Sequence, residues 1–181
     1  MIVRPMYNLV LLPDVNYYFK NDFLKDWSPV QIEAQERILF LVLRDNKPRE
    51  ELQPEDFYPI GVSARIDSIE EDGSIHVHTL ERVDISEIEI HDGYIEAEAC
   101  VRAEVDDLPK EEESERFTRI QRALLQFVQK YQWGMWARSY ILQWNNMVEA
   151  VCTLTEYLNL TPDEKYQILA QDSRRQQCEM I

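Results

Sequence analysis

Two histidines separated by one residue, His76 and His78, have the types and spacing that could bind a metal ion. Residues i and i+2 of a strand point to the same side, so both imidazoles could reach one ion. A site also needs a third or fourth ligand. Glu81 has the opposite parity unless the strand bulges, and the pattern does not place His91. The alternative is a solvated pair on the outer face of a half-buried strand. We favour this alternative and predict no metal ion and no other cofactor.

Motifs for catalysis are missing from the sequence. A nucleophile needs an adjacent base, but the chain has three histidines, scattered serines and no GxSxG motif. The four glycines stand alone, so neither a P-loop nor a GxGxxG dinucleotide motif can be built. We therefore predict that this chain is not an enzyme. A small hydrolase or metal-binding enzyme that uses His76 and His78, or a pair of carboxylates, is the less favoured alternative.

Aromatic side chains form two groups that could contact another protein. The first group lies among polar residues and consists of Tyr17, Tyr18, Phe19, Phe23 and Trp27. The second consists of Trp133, Trp136, Tyr140 and Trp144, of which the last three share one helix face. Core packing is the alternative for both groups, because such helical stripes are usually buried. Exposed aromatics amid polar residues would instead form an adaptable peptide-binding surface. We predict the first group as substrate contacts, with Trp133 and Trp136 as second choices.

The hydrophobic period divides the chain into two halves. Residues 1–107 are predicted to be β-rich because apolar residues alternate with polar ones, most clearly from Ile95 to Val105. One helix is predicted there, within Pro29–Arg37. Residues 108–181 show a helical period, and the acidic residues of segment 104–115 suit a helix start better than an EF-hand. The predicted fold is α+β, with an N-terminal, mostly antiparallel β-barrel-like sheet and a C-terminal α-helical bundle.

Charge and composition limit the classes of partner. The formal net charge is −15, which repels nucleic acid backbones and anionic membranes, so neither is a predicted partner. No apolar run reaches the roughly 20 residues that a membrane span needs. The first residues lack the long apolar core of a signal peptide, and the three cysteines form no CxxC motif. A cytoplasmic protein with reduced thiols is therefore predicted.

Several segments, in order, carry a resemblance to the N-terminal substrate-binding domain of Lon proteases. The segments are MYNLVLLPDV (6–15), RILFLVLRDNKPREELQPEDFYPIGVSARI (37–66), LERVDI (80–85), DGYIEAEACVRAEV (92–105) and LTPDEKYQILAQDS (160–173). LERVDI resembles a family segment in which a Leu and an Arg, here Leu80 and Arg82, brace the sheet. No single motif is specific, but the ordered set spans nearly the whole chain.

The resemblance implies a role without chemistry of its own. The family recognises unfolded or damaged proteins for an ATP-dependent protease, whose ATPase and Ser–Lys peptidase lie in other domains. The implied partners are such substrates and Lon-type ATPase and protease domains, in the same chain or complex, and a homo-oligomer is possible. The chain would be a fragment or relative of that serine protease. A stand-alone Lon-like adaptor is the alternative.

The sequence departs from the family at positions that bear on this role. Thr79 stands where the family has a glycine before LERV, which puts the local bulge or close approach in doubt. The segment VNYYFKNDF (15–23) replaces an apolar, proline-containing stretch, so an inherited binding surface can have changed. The segment WGMWARSYILQWNN (133–146) matches poorly.

Overall fold

The computed structural model describes residues 1–9, 11–20, 33–132 and 134–180. These residues form six strands and five helices, so the predicted α+β class is confirmed. The strands are β1 (Val3–Met6), β2 (Asn16–Phe19), β3 (Arg37–Leu43), β4 (Phe57–Ile69), β5 (Ile75–Ile90) and β6 (Ile95–Val101). The helices are α1 (Lys110–Val128), α2 (Gly134–Ile141), α3 (Met147–Tyr157), α4 (Pro162–Ala170) and α5 (Arg174–Glu179).

Two compact units divide the chain. The first comprises Met1–Ala103 and Asn159–Ala170, and the second comprises Glu104–Leu158 and Gln171–Ile181. The predicted boundary between residues 107 and 108 stays a prediction. The units differ from it mainly in that α4 belongs with the sheet.

Strand β5 organises the sheet of the first unit. The path is β1-β3-β4-β5-β2, and β6 also pairs with β5. The first part of β5 pairs with β2 and its second part pairs with β6, while β4 lies along the other edge. These pairings are antiparallel, as is β3 with β4, whereas β1 and β3 form the one parallel pair among the described strands. The sequence runs 75–90 and 95–101 thus form a hairpin, as their alternation predicts.

Backbone contacts also join the first residues of the chain to β6. Ile2 forms an antiparallel bridge with Glu96. The Met1 ammonium donates to the Ala97 carbonyl at 2.8 Å, and the Ala97 N–H donates to the Met1 carbonyl at 2.9 Å. The barrel-like closure and the helical bundle stay predictions.

Strand β3 is the centre of the core. Its six residues from Ile38 to Leu43 are all buried, as a continuous apolar run predicts. Gly61 of β4 lies opposite this strand, and a Cβ atom there would be 2.6 Å from the Phe40 carbonyl oxygen. That distance is too short for any side chain, so the close approach of the two strands requires glycine.

Two local expectations near the N-terminus need correction. The apolar run Met6–Leu12, which ends at Pro13, predicts a strand at those positions, but the opening strand is Val3–Met6. Leu11 and Leu12 are still buried, but in a loop. The predicted helix within Pro29–Arg37 falls partly outside the described residues. The rest is not helical, because residues 34–35 form a turn and β3 begins at Arg37.

Helices α1, α2 and α3 share the core of the second unit. That core consists of Val128, Ala137, Ile141, Trp144 and Ala150. Phe117 and Leu124, which recur at helical spacing in the sequence, pack against it. Helix α5 is tied to the start of α1 by Arg175, whose Nη1 and Nη2 donate to the Glu112 carboxylate at 2.7 and 2.8 Å. This bidentate contact lowers the pKa of Glu112 to about 2. Among the described helices, none is long and apolar enough to span a membrane.

Candidate functional site

Strand β2 carries the predicted aromatic residues that the structure describes in the first unit. Successive side chains of a strand point to opposite faces, and the burial of β2 alternates accordingly. Tyr18 is 55% exposed. Tyr17 and Phe19 lie on the opposite face and are half-buried, with ring centroids 5.9 Å apart. Phe19 also contacts the buried Phe40, at 5.7 Å between ring centroids. Among the three aromatic residues of β2, Tyr18 alone is therefore well placed to contact a large partner without rearrangement.

A groove beside β2 adds polar groups to this surface. Its volume is about 490 Å³, and its lining consists of Asn16, Tyr17, Asp67, Ser68, His76 and Val77. Across the strand pair, the rings of Tyr18 and His76 lie 5.0 Å apart. The groove thus offers hydrogen-bonding groups next to an exposed aromatic ring, which is a combination suited to an extended peptide.

The predicted histidine pair is solvated rather than assembled into a cluster. His78 Nδ1 lies 2.9 Å from Asn16 Oδ1, and His76 Nε2 lies 3.7 Å from a Glu70 carboxylate oxygen. Within the described residues, neither belongs to a group of three metal-binding side chains. His91, whose position the sequence left open, does lie in such a group, with Glu89 and Glu96.

Helix α2 carries a second exposed aromatic surface, which we call the α2 surface and define as Met135, Trp136 and Tyr140. Met135 is 80% exposed and Trp136 is 70% exposed, while Tyr140 is partly covered. The Trp136 and Tyr140 rings lie nearly parallel, with centroids 6.1 Å apart. Tyr140 in turn meets the buried Trp144 edge-on at 6.2 Å. The predicted i, i+4, i+8 face therefore runs from solvent into the core.

Further exposed aromatic residues occur at the end of helix α1. Phe127 and Tyr131 are both exposed, and their ring centroids lie 5.1 Å apart. Sequence reasoning missed Phe127 and Met135 as surface residues. The helical spacing groups Tyr131 with Phe117, Leu124 and Val128, three residues that belong to the core of this unit or pack against it. The neighbouring Gln129, Lys130 and Gln132 were the available signal, since polar residues dominate that stretch.

Phe23, Trp27 and Trp133 are outside the described residues and stay predictions. Of the seven predicted contacts, Tyr18 and Trp136 are the clearly exposed ones among those described, and they belong to different compact units.

A buried tyrosine cluster in the first unit has a structural role. Tyr58 of β4 and Tyr166 of α4 stack with ring centroids 3.7 Å apart, and the Arg44 guanidinium carbon lies 4.4 Å from the Tyr58 centroid. The Tyr58 hydroxyl donates to Asp163. Burial, helped by this hydrogen bond, raises the pKa of Tyr58 to about 12. The phenol is therefore protonated at neutral pH and holds α4 to the sheet.

Comparisons with known proteins agree on one family. Residues 23–181 match the family described as the ATP-dependent protease La (LON) substrate-binding domain. A Lon protease of Clostridium beijerinckii is 25% identical over 178 residues, which cover 94% of this chain and 22% of that protein. The chain thus spans about a fifth of the length of this curated relative.

Solved structures extend the comparison to the fold. The N-terminal domain of a Mycobacterium avium complex Lon protease aligns with a TM-score of 0.59 at 14% identity, covering 98% of this chain and 93% of that chain. A Lon N-terminal domain protein from Xanthomonas campestris has a TM-score of 0.49 at 14% identity, with coverages of 99% and 94%. The first of these likenesses shows a shared fold.

Proposed function

Because the chain belongs to the family of LON substrate-binding domains, we propose that it is a non-catalytic module that binds unfolded or damaged proteins for an ATP-dependent Lon-type protease. The exposure of Trp136 beside Tyr140 and Met135 is the observation that carries the proposal. A soluble domain gains nothing in stability from leaving an indole in water. Large aromatic residues in such positions are enriched at sites of protein binding.

The two aromatic surfaces suit weak capture of extended chains. Tyr18 offers one exposed ring next to a polar groove, and the α2 surface offers two rings and a flexible thioether. Unfolded proteins present short apolar segments with no fixed shape, so several small contacts are more useful than one deep pocket. Weak contacts add up when several copies of the module act together, which is the role we propose for a homo-oligomer.

The proposed partners follow from the family. They are unfolded or damaged protein substrates and Lon-type ATPase and protease domains, in the same chain or complex, in the cytoplasm. Phe23, Trp27 and Trp133 are proposed as further contacts on the strength of their sequence context. A free-standing adaptor of the same binding specificity is the second candidate, supported by the compact first unit with its own core.

An NMR titration with an unfolded, near-neutral model polypeptide at physiological salt tests the proposal. We expect saturable shifts at Tyr18 and at the Trp136 indole. Substitution Trp136→Ser should weaken binding about tenfold, since losing a hot-spot side chain costs 1–2 kcal/mol or more. Its melting temperature should change little, because the indole is largely exposed.

Val101→Ser is a matched control, because this valine is also exposed, at 64%, but lies on β6 in the other compact unit from Trp136. It should bind like the parent chain. Unchanged affinity in both Trp136→Ser and Tyr18→Ser would rule out these surfaces as the binding site. A total absence of binding by the parent chain would refute capture by this domain alone.

A further inference from the structure

Three potential metal ligands meet at the turn that joins β5 to β6. Glu89 of β5 and Glu96 of β6 are directly paired across the hairpin, and His91 is the first residue after β5. His91 Nε2 lies 3.3 Å from a Glu89 carboxylate oxygen and 3.8 Å from a Glu96 carboxylate oxygen. All three ligand atoms lie within 4.8 Å of one another. We propose that Glu89, His91 and Glu96 bind one divalent transition-metal ion, with Zn²⁺ as the best match.

The distances fit a shared ion better than direct hydrogen bonds. His91 Nε2 is buried and has no hydrogen-bond partner, although two carboxylates lie nearby. These oxygens are therefore close to the nitrogen but poorly aligned with it. In a tetrahedral zinc site with bonds of about 2.0–2.1 Å, neighbouring ligand atoms are about 3.3 Å apart. The observed separations of 3.3 and 3.8 Å need only a small side-chain adjustment to reach this geometry.

The charges of the cluster also favour a divalent cation. Two glutamates directly opposite each other on paired strands repel one another. A divalent ion bound to both carboxylates and to a neutral imidazole would bring the net charge of the group to zero. An imidazole nitrogen with two carboxylates is a zinc-type donor set that leaves a fourth position for water or another ligand.

Neighbouring groups hold the imidazole in position. The His91 ring stacks on Tyr94, with centroids 4.5 Å apart and planes 23° from parallel. The backbone N–H of His91 donates to the Tyr94 carbonyl at 2.9 Å, and this hydrogen bond closes the turn. Support of this kind strengthens metal binding because the ligand side chain loses little conformational entropy when the ion binds. The ion would connect the two strands next to the point where Glu96 bridges Ile2.

Isothermal titration of the metal-free chain with Zn²⁺ at neutral pH tests this site. We expect one equivalent to bind with a micromolar dissociation constant and to raise the melting temperature. Glu96→Gln and Glu89→Gln should each weaken binding at least tenfold. These variants also relieve the repulsion between the glutamates, so they should fold without metal at least as well as the parent chain.

Two controls separate this site from other zinc ligands. His76→Gln removes an exposed histidine that also lies near a glutamate, and Cys100→Ser removes an exposed thiol. Both should bind Zn²⁺ like the parent chain. The proposal is overturned if the parent chain binds no Zn²⁺ below about 1 mM. It is equally overturned if the Glu89→Gln and Glu96→Gln variants retain full affinity. In either case the two carboxylates would serve only as ion-pair partners of His91.

Discussion

At the scale of single residues, Thr79 shows how a side chain can take over the place of a family glycine. Thr79 is fully buried, and its hydroxyl donates to the Leu12 carbonyl at 2.7 Å. The same oxygen accepts from the Val15 N–H at 3.0 Å. A bulge does follow, because β5 uses three steps from Thr79 to Arg82 where β4 uses two from Val62 to Ala64. The hydroxyl thus holds the segment that leads into β2.

Substitution Thr79→Val should lower the free energy of unfolding by about 2 kcal/mol. Valine has nearly the same shape, but it leaves the Leu12 carbonyl and the Val15 N–H buried without this partner. Urea denaturation of the purified variant measures the effect. Thr79→Ser keeps the hydroxyl and should lose well under half as much. A Thr79→Val variant as stable as the parent chain would show that the two backbone groups find other partners.

The residue types and their spacing predicted part of the candidate sites. The alternation predicted a strand with His76 exposed, which the structure shows, but it did not exclude Glu81 as a ligand, because β5 bulges between Thr79 and Arg82. The grouping of His91 with two glutamates was not predictable, because it depends on the exact pairing of β5 with β6. The exposure of Met135 was also not predictable, since a helical pattern reports which residues share a face and not which face is buried.

At the scale of elements, the start of helix α4 could be predicted from the sequence, but its packing on the sheet could not. The segment TPDE (161–164) has the residue types of a capping box with proline at the first helical position, and it forms one, since the Thr161 N–H donates to the Glu164 carboxylate at 2.8 Å and Pro162 begins the helix. The helix packs on the sheet through the buried Arg82, which donates to the Leu169 carbonyl at 3.0 Å. The arginine of LERV thus joins the sheet to α4, and the expectation that Leu80 and Arg82 brace the sheet stays a prediction. This hydrogen bond joins residues 87 positions apart, and a local pattern contains no signal for it.

Strand ends were similarly hard to predict. The alternation from Ile95 continues to Val105, yet β6 ends at Val101, which is 64% exposed. Alternation marks a face that could be buried, but a strand continues only where a partner strand supplies hydrogen bonds. Here the last paired residue of β6 is Val101, opposite Val83.

The attachment of α4 should weaken at high pH. Burial raises the pKa of Tyr58 from about 10 to about 12, so the folded state holds this proton more tightly than the unfolded state. The resulting stabilisation is complete below pH 10 and is lost as pH rises from 10 to 12, by up to about 2 kcal/mol. Urea denaturation across this range should show the loss. In Tyr58→Phe the free energy of unfolding should fall less steeply with pH over this range. Tyr7→Phe, which changes an exposed tyrosine, should behave like the parent chain. A Tyr58→Phe slope equal to that of the parent chain would contradict this assignment.

At the scale of the whole molecule, the net charge of −15 acts on any polypeptide that approaches. Basic unfolded chains will be attracted over distances of about a Debye length, whatever their apolar content. The aromatic surfaces act only at contact. Affinity should therefore contain a salt-sensitive part set by the charge of the polypeptide and a salt-insensitive part set by its apolar segments.

The salt dependence of the dissociation constant should separate the electrostatic contribution to affinity from the apolar one. Between 50 and 300 mM NaCl, the dissociation constant of a basic unfolded polypeptide should rise several-fold, whereas that of a near-neutral one should change less than twofold. Fluorescence anisotropy with labelled polypeptides measures both. Trp136→Ser should weaken the two by a similar factor at every salt concentration. A strong salt dependence for the near-neutral polypeptide would argue against aromatic contacts as the source of affinity.

The position of α4 in the chain has a consequence for synthesis. The six described strands are complete by Ala103, but the first part of the second unit, which is 55 residues long, is made before the segment that contains α4. At about 5–20 residues per second, a ribosome needs roughly 3–11 s to make that stretch. During this interval Tyr58 and Arg82 lack their contacts with α4. Until α4 has been made, these contacts cannot stabilise the sheet.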